Sequence, residues 1–502
     1  MNRMLMQQMR LPVLCALVLL TFQSAAIGQR AQRPKAKVAQ IDEVMTYAHN
    51  NRLFNGTVLV AENGKVIYKK GFGMANMEWK IPNTPDTKFR LGSITKQFTA
   101  TLILQLVEQG KVKLDGKLSD YVPEYRKDIG AKVTVHQLLD HTSGIPSYTG
   151  VPGFFRDVSR NPYTVDDFVK KYASSDLEFE PGSKFSYNNS GYFLLGAIIE
   201  KVTGKPYEQV LKEKILDPVG MKNTGFDHHA TILEKRAAGY ARTGDSYNNA
   251  AYLDMSIPYA AGSMYSTVED LYLWDQALYT DRLLSAASKE LMYKPNLNNY
   301  AYGWDVTPVS FGKSIAPVSR IAHGGGINGF STTIVRFPVQ KNLIVILDNA
   351  ADGVDGLSRE IVNILYNQPH DLPKLPLADL LFKTVNEKGV AAAVAQYRDL
   401  KANRPKVYDF SEPQLNRLGY QLLQAKKTKE AIEVFKLNVE AYPEGFNTYD
   451  SLGEAYMIDG NTELAIQNYK KSLELNPNNT GASVVLKRLE AKPATGESKA
   501  TP

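Results

Sequence analysis

The stretch LGSITKQFTATLILQLVEQG, residues 91–110, is the most informative part of the sequence. Its apolar residues recur every four positions from Ile94 to Leu106, which predicts a helix that is buried on most sides. Ser93 lies in the first turn, and Lys96 follows three residues later on the same face. A serine hydroxyl needs a base to become a good nucleophile, and a buried lysine with a lowered pKa can be that base. Ser93 and Lys96 are therefore a candidate nucleophile and base.

The Ser-x-x-Lys spacing alone is weak evidence, because chance places it elsewhere in a chain of this length. Ser310 and Lys313 have the same spacing, but they lie in a turn-like stretch with Phe311-Gly312 between them. A bare match of this kind is more often an N-cap serine beside a solvated lysine. The surrounding string FRLGSITKQFTA is what favours Ser93.

Two further elements follow in chain order. The first is Tyr187-Asn188-Asn189, within PGSKFSYNNSGYFLLG; a second copy at residues 247–249 lacks that context. The other element is HGGGINGF, residues 323–330. The three elements together resemble the serine β-lactamase and penicillin-binding protein superfamily, in particular its branch of class C β-lactamases and D-Ala-D-Ala carboxypeptidases. The resemblance covers about residues 38–366.

The resemblance implies roles for the candidate site residues. Tyr187 would relay protons between Ser93 and the leaving group, and Asn189 would orient the substrate and Lys96. A phenol beside an ammonium is expected to have a lowered pKa, which would make Tyr187 a usable general base.

The third element would line the substrate side of the site. His323 and Gly325 align with the first and last residues of the family's Lys-Thr-Gly or His-Thr-Gly triplet. The backbone N–H of Gly326 would complete an oxyanion hole with that of Ser93. Many relatives carry threonine where this chain has Gly324, and that hydroxyl would help to bind a substrate carboxylate.

Two other segments fit the same resemblance. LLDHTSGIPSY, residues 138–148, matches a segment near the site, and we expect its His141 to be structural. Tyr302-Gly303-Trp304 is expected to form a wall on the substrate side. The remaining candidates for metal ligands, His136 and His228-His229, have no converging partners in the sequence, so no metal and no other cofactor is expected.

The fold class expected is α+β. Asn63-Gly64 between two β-rich runs predicts a hairpin near the start, and a second hairpin spans Pro338 and Asn342 near the end, followed by a helix over residues 354–367. A helix is also expected over residues 38–50. The economical arrangement is an antiparallel sheet built from both ends of a domain over residues 38–366, with a helical region inserted between them.

A second, helical domain is expected over residues 379–490, after a proline-rich linker at residues 367–378. Leu418-Gly419 recurs as Leu452-Gly453, and Pro443 recurs as Pro477, each at an offset of 34 residues (452 − 418 and 477 − 443). That offset is the tetratricopeptide period. Such repeats bind peptides or proteins, and the stretch 379–402 would cap them. The tail, residues 491–502, is polar and expected to be disordered.

Residues 1–28 have the pattern of a secretory signal peptide, with a short apolar run at 11–22 and small residues before Gln29. A flexible basic lead over residues 29–37 would follow. An uncleaved anchor is disfavoured because the run ends early, and a lipoprotein is disfavoured because Leu14 precedes Cys15. We expect export to a bacterial periplasm or the outside. The net charge of +7 is not concentrated, which disfavours nucleic acid as a partner.

The leading hypothesis is an exported serine hydrolase that acts on an ester, a D-amino-acid amide or peptide, or a β-lactam through an acyl-serine intermediate. Gly324 places β-lactams last. The alternative is a catalytically degenerate platform whose repeats bind a protein or peptide partner.

Overall fold

The computed structural model describes residues 36–243, 246–312, 316–350 and 353–491. The predicted signal peptide, residues 1–28, lies outside them, as do most of the lead at 29–37 and residues 492–502 of the tail. The first described helix spans residues 36–50, and therefore begins inside the stretch that was predicted to be a flexible lead. Apart from residues 243–247, the chain forms a first unit that ends at Pro373 and a second that begins at Lys374.

A six-stranded antiparallel sheet is the centre of the first unit, which confirms the predicted fold class. Its strands lie in the order Asp305–Val309, Val318–Ile327, Phe330–Phe337, Asn342–Asp348, Gly56–Glu62 and Lys65–Phe72. The first and last parts of this unit meet where Gly56 pairs with Asp348 and Ala61 pairs with Leu343. The first hairpin turns through Asn63 and Gly64, both with positive φ (53° and 75°), as an Asn-Gly turn requires.

Side chains along each strand point alternately to the two faces of the sheet, and each face packs against its own apolar core. Val58 and Val60 face a cluster that includes the helix at residues 36–50 and the helix Asp355–Leu365. Leu59 and Ala61 face the opposite way, into a larger cluster made by the inserted helical region. Successive side chains of a strand point to opposite faces, so one strand supplies both cores.

The inserted region is mostly helical, and its longest helices are Thr95–Glu108, Asn189–Thr203 and Val268–Ala277. Its shorter α-helices are Leu118–Tyr121, Lys127–Gly130, Val135–Leu139, Val165–Tyr172, Tyr207–Leu211, Asp217–Val219, Tyr259–Gly262 and Ala286–Tyr293. Tighter or wider helical turns are Gly92–Ile94, Tyr148–Gly150, Phe154–Val158, Lys212–Leu216 and Leu297–Asn299. Short strands are Met74–Asn76, Ile81–Pro82, Phe89–Arg90, Gly225–Phe226, Tyr240–Thr243, Ser246–Asn249 and Met264–Ser266.

The second unit consists of paired helices. They are Leu377–Lys388, Val390–Asn403, Glu412–Gln424, Thr428–Ala441, Phe446–Ile458, Thr462–Leu475 and Thr480–Ala491, with short strands at Leu375–Pro376 and Tyr408–Asp409. Equivalent glycines allow the two helices of each repeat to pack closely. A Cβ on Gly419 would lie 2.3 Å from the Phe435 ring, and one on Gly453 would lie 3.3 Å from the Tyr469 ring. Each pair is offset by 34 residues from the other (453 − 419 and 469 − 435), so the predicted period matches a packing contact.

No helix among the residues that the structure describes is long and apolar enough to span a membrane.

Candidate active site

Ser93 lies in the tight turn Gly92–Ile94, directly before the buried helix Thr95–Glu108. Lys96 is in the first turn of that helix and is completely buried. Its Nζ lies 3.0 Å from Ser93 Oγ, 2.9 Å from Asn189 Oδ1 and 2.9 Å from the carbonyl oxygen of Ala261. Burial lowers the pKa of Lys96 well below its ordinary value.

The partners of Lys96 determine where its lone pair points. A neutral amine has two N–H donors, and both Asn189 Oδ1 and the Ala261 carbonyl can only accept. If these two take the donors, the lone pair is left for the Ser93 hydroxyl, which then donates to Nζ. A general base beside a serine needs this arrangement.

Tyr187 completes the group around Ser93. Its ring centroid is 4.9 Å from Lys96 Nζ, and its hydroxyl is hydrogen-bonded to Ser93. The ring is 39% exposed, but the hydroxyl is surrounded by protein, and burial raises its pKa above the ordinary value despite the bond to Ser93. The prediction of a lowered pKa for Tyr187 was wrong, because burial of the hydroxyl disfavours its charged form and outweighs the bond to Ser93. The hydroxyl therefore stays protonated and is an acid at neutral pH.

The strand Val318–Ile327 approaches the nucleophile very closely. Gly92 has a φ of +56°, and a Cβ there would lie 3.0 Å from the backbone nitrogen of Gly326. A Cβ on Gly325 would lie 2.0 Å from the carbonyl oxygen of Leu91. Gly325 is therefore required for packing between strand and turn, whereas Gly326 has no atom within 4 Å of its Cβ position and borders the same cavity as Ser93.

His323 is buried, and both of its ring nitrogens are hydrogen-bonded. It is 7% exposed and is not one of the described residues that line the cavity. Its Nδ1 donates to the carbonyl oxygen of Gly324 at 2.6 Å, so Nε2 accepts from the Tyr300 hydroxyl at 2.8 Å. Burial lowers the pKa of His323 to about 4. His323 is thus a buried residue with its ring 6.2 Å from that of Tyr187, and its role as a substrate contact stays a prediction.

The burial of His323 predicts a pH dependence of stability. Below pH 6.5 the His323 imidazole is protonated in the unfolded chain, whereas in the folded chain it stays neutral down to about pH 4. We therefore expect the free energy of unfolding to fall by about 3 kcal/mol from this residue between these two pH values. Urea unfolding of His323→Gln should show a flatter profile in this window. His370→Gln is the control, and equal profiles for the wild type and His323→Gln would contradict the prediction.

The cavity beside Ser93 is small, with a volume of about 120 Å³. None of the described lining residues carries a charge. The lining includes four short polar side chains, those of Ser93, Thr149, Asn189 and Asn328. The apolar and aromatic part of its lining consists of Tyr148, Phe154, Phe155, Leu253, Ile257, Pro258, Ala261 and Ile327. Phe155 is 61% exposed and lies at its mouth.

Two expectations about neighbouring residues have different outcomes. Tyr302 and Trp304 are buried and are not among the described cavity-lining residues, so the predicted substrate-side wall was wrong. Gly303 instead packs against the backbone of the nucleophile helix, where a Cβ would lie 2.9 Å from the Lys96 carbonyl oxygen. His141 is buried, accepts a hydrogen bond from the Asn188 N–H at 3.1 Å and packs 4.4 Å from the Tyr187 ring, as a structural residue would.

The rejected motifs do not contribute to the site. Residues 247–249 lie in the strand Ser246–Asn249, outside the described cavity lining, and Lys313 lies outside the described residues. Within the described ranges there is no group of three or more His, Cys, Asp or Glu side chains that could hold a metal ion. Sequence reasoning missed the Ala261 carbonyl and Tyr300, because a backbone acceptor and a distant phenol leave no spacing signal.

Comparison with known proteins identifies the class. The family model described as Beta-lactamase matches residues 39–367, so the chain belongs to the β-lactamase family, whose members include penicillin-binding-protein-like serine hydrolases. A tetratricopeptide-repeat model matches residues 446–479. These findings confirm the resemblance drawn from Ser93, Tyr187 and residues 323–330.

Individual relatives agree with this assignment. A penicillin-binding protein of Bacillus subtilis strain 168 is 29% identical over 446 residues, which are 82% of this chain and 95% of the relative. The crystal structure of a penicillin-binding protein from Bacillus halodurans is 28% identical with a TM-score of 0.58, covering 64% of this chain and 98% of that one. A D-amino acid amidase from Ochrobactrum anthropi, solved with D-phenylalanine, is 26% identical with a TM-score of 0.56, covering 67% and 98%.

Proposed function

We propose that this chain is an exported serine hydrolase that forms an acyl-serine intermediate on Ser93. The observation that carries the proposal is the environment of Lys96: a fully buried amine, 3.0 Å from Ser93 Oγ, with two acceptor-only partners for its N–H groups. Burial lowers the pKa of this amine well below its ordinary value, which favours the neutral form that a general base needs.

In the proposed mechanism the Ser93 proton passes to Lys96 Nζ as Oγ bonds to the carbonyl carbon of the substrate. The backbone N–H groups of Ser93 and Gly326 stabilise the negative oxygen that forms. The Tyr187 hydroxyl donates its proton to the leaving atom and recovers one from Lys96. Water then attacks the acyl group, its proton passes to Lys96, and Ser93 Oγ leaves with a proton.

We place short esters and D-amino-acid amides or peptides ahead of β-lactams as substrates. The cavity supports this order because its described lining is largely apolar and uncharged, which suits an uncharged acyl group better than a carboxylate. The similarity to a D-amino acid amidase supports D-amino-acid amides as substrates. High turnover of nitrocefin with negligible hydrolysis of esters and D-amino-acid amides would reverse the order.

A serine-directed phosphonate tests the nucleophile. We expect a fluorescent phosphonate to label the wild-type chain and not Ser93→Ala, because the reagent bonds only to an activated hydroxyl. Ser310→Ala is the matched control and should label normally. Labelling that persists in Ser93→Ala, read by intact-protein mass spectrometry, would disprove the proposal.

Gly324 offers a test of the substrate order. A Cβ there would meet only the Thr332 carbonyl oxygen, at 3.7 Å, so the position has room for a larger residue. We expect Gly324→Thr to keep its melting temperature and to hydrolyse carboxylate-bearing nitrocefin roughly tenfold faster, the gain from one added hydrogen bond.

Gly325→Ala is the contrasting variant. Its Cβ would lie 2.0 Å from the Leu91 carbonyl oxygen, so we expect a loss of about 1–3 kcal/mol in stability along with activity. A stable, active Gly325→Ala, or an unfolded Gly324→Thr, would contradict this interpretation of the glycine strand.

Export rests on residues 1–28 of the sequence. We expect the protein recovered from the cell envelope or the medium to begin at Gln29 when its N-terminal peptide is determined by mass spectrometry. Recovery of the protein with residues 1–28 intact would contradict the proposal.

The helical unit is proposed to bind a peptide or protein partner, which its tetratricopeptide match supports. The competing hypothesis makes the first unit a catalytically degenerate platform for this binding. Hydrolysis of a chromogenic ester by the wild type but not by Lys96→Ala would exclude the platform.

A further inference from the structure

A second cavity, separate from the catalytic one, lies in the first unit and has a volume of about 490 Å³. Its size is that of a small-molecule binding site, whereas the catalytic cavity has only about 120 Å³. The two cavities share the segment 253–262 as a wall. Leu253, Ile257 and Ala261 border the catalytic cavity, and Asp254 and Tyr259 border the larger one.

The larger cavity is rich in hydrogen-bond acceptors and negative charge. Glu200, Glu208 and Asp254 line it, and none of its described lining residues is a lysine or arginine. Glu200 accepts a hydrogen bond from the backbone N–H of Tyr207 at 2.8 Å, and its carboxylate also interacts with the Tyr259 hydroxyl. Glu208 Oε2 lies 2.5 Å from His228 Nε2, so this carboxylate already has one hydrogen-bond partner.

Aromatic rings form the floor of this cavity. Tyr207, Phe226 and Tyr259 are mutual neighbours, with ring centroids 5.3 to 6.3 Å apart and planes tilted by 56° to 69°. Rings with a negative face beside carboxylates attract a cation that has an apolar body.

Tyr259 gives an independent indication of a missing partner. It is 5% exposed, and no contact of its hydroxyl with the described residues has ordinary hydrogen-bond geometry, although the Glu200 carboxylate is close enough to interact with it. The carboxylates of Glu200 and Glu208 are near enough to raise its pKa further than burial already does. The hydroxyl can donate to a carboxylate, but its oxygen accepts no hydrogen bond from the described residues, and an ammonium could donate one to it.

We infer that this cavity binds an organic cation, namely an ammonium group on an apolar or aromatic body. The ammonium would donate to Glu200, to Glu208 and to the Tyr259 hydroxyl. Its body would pack on Tyr207 and Phe226.

Occupation of the cavity would also reach the catalytic group. Tyr259 begins the short helix Tyr259–Gly262 with a φ of +41°, a conformation that a bulky residue adopts only under constraint. Two residues later the Ala261 carbonyl accepts the hydrogen bond from Lys96 Nζ. A ligand on Tyr259 therefore adjusts the group that orients the base. This coupling rests on the proposed function, whereas the binding does not.

The binding test uses the full-length Ser93→Ala chain, so that its outcome is independent of catalysis. We expect 2-phenylethylammonium to bind at least tenfold more tightly than the neutral 2-phenylethanol in calorimetry. Glu200→Gln combined with Glu208→Gln should weaken the cation by tenfold or more. Glu234→Gln, an exposed glutamate outside the cavity, is the control and should leave affinity unchanged.

Equal affinity for the amine and the alcohol would overturn the inference, as would undiminished binding in the double variant. Wild-type chain labelled with phosphonate at Ser93 should still bind the cation, and loss of binding in the labelled chain would assign the cation to the catalytic cavity instead.

The coupling is tested by kinetics of the unlabelled wild type. With an uncharged chromogenic ester as substrate, a change in kcat on adding the cation would support its action as an effector that is separate from the substrate. For ammonium-bearing substrates, a rise in KM alone would identify the cation as part of the substrate. No change in either constant would overturn the coupling.

Discussion

Replacing Lys96 with methionine is expected to lower kcat for the preferred substrate by about 10²–10⁴-fold, the range that a positioned general base contributes. The side chain is fully buried and its Nζ contacts Ser93, Asn189 and Ala261, so no solvent base can take its place. Methionine fills a similar volume, and it removes an amine whose burial is itself unfavourable. The fold is therefore expected to survive the loss of activity.

Steady-state kinetics and thermal unfolding of the same preparation check this prediction. We expect the melting temperature of Lys96→Met to stay within about 5 °C of the wild type. Lys111→Met, an exposed lysine beyond the end of the same helix, is the matched control and should keep full activity. A folded Lys96→Met with near-normal kcat would assign proton transfer to another group.

Replacing Asp275 with alanine is expected to destabilise the first unit by about 3–5 kcal/mol, because it leaves a buried positive charge without its partner. Arg336 is 1% exposed, and its Nε lies 2.5 Å from Asp275 Oδ1. The guanidinium is packed against the rings of Tyr279 and Trp304, at 5.1 and 5.6 Å from their centroids. Asp275 belongs to the helix Val268–Ala277 and Arg336 to the central sheet, so this pair joins two layers.

Tryptophan fluorescence during urea unfolding measures this loss. All three tryptophans, Trp79, Trp274 and Trp304, lie in the first unit, so the signal is specific for it. The double variant Asp275→Leu with Arg336→Met should recover most of the stability, because it removes both charges. Asp281→Ala, which breaks an exposed pair with Lys289, should change stability by less than about 1 kcal/mol. A comparable loss at both aspartates would refute the argument.

Local signals in the sequence were sufficient for the framework of the fold. Asn63-Gly64 needs two positive φ values and obtains them, which sets the first hairpin. The β-rich apolar runs in residues 56–62 and 342–348 indicate strands, and one sheet built from both ends of the unit brings them together. The hairpins and the individual strands depend on neighbours in the chain and can therefore be predicted from the sequence, whereas the register between Gly56 and Asp348 joins distant residues and comes from the structure.

The electrostatics of the site were not predictable in the same way. The sequence indicates that Tyr187 and Lys96 are close, but the direction of the Tyr187 pKa depends on how much protein surrounds each group. The Ala261 carbonyl has no side-chain signature, although it holds the base as firmly as Asn189 does. His323 has the residue type of a substrate contact, but its burial and its hydrogen bond with Tyr300 leave no signal in the sequence.

The pairing of the first strand with the last one determines when the active site can be completed during synthesis of the chain. Gly56–Glu62 is synthesised early, and its partner Asn342–Asp348 is synthesised near the end of the unit. Gly326, which lies against the turn that holds Ser93, is also made late. A growing chain, or a fragment that stops short of these strands, would hold the nucleophile and base without the strand that completes their surroundings. On the proposed mechanism, activity therefore depends on the whole unit having been made and folded.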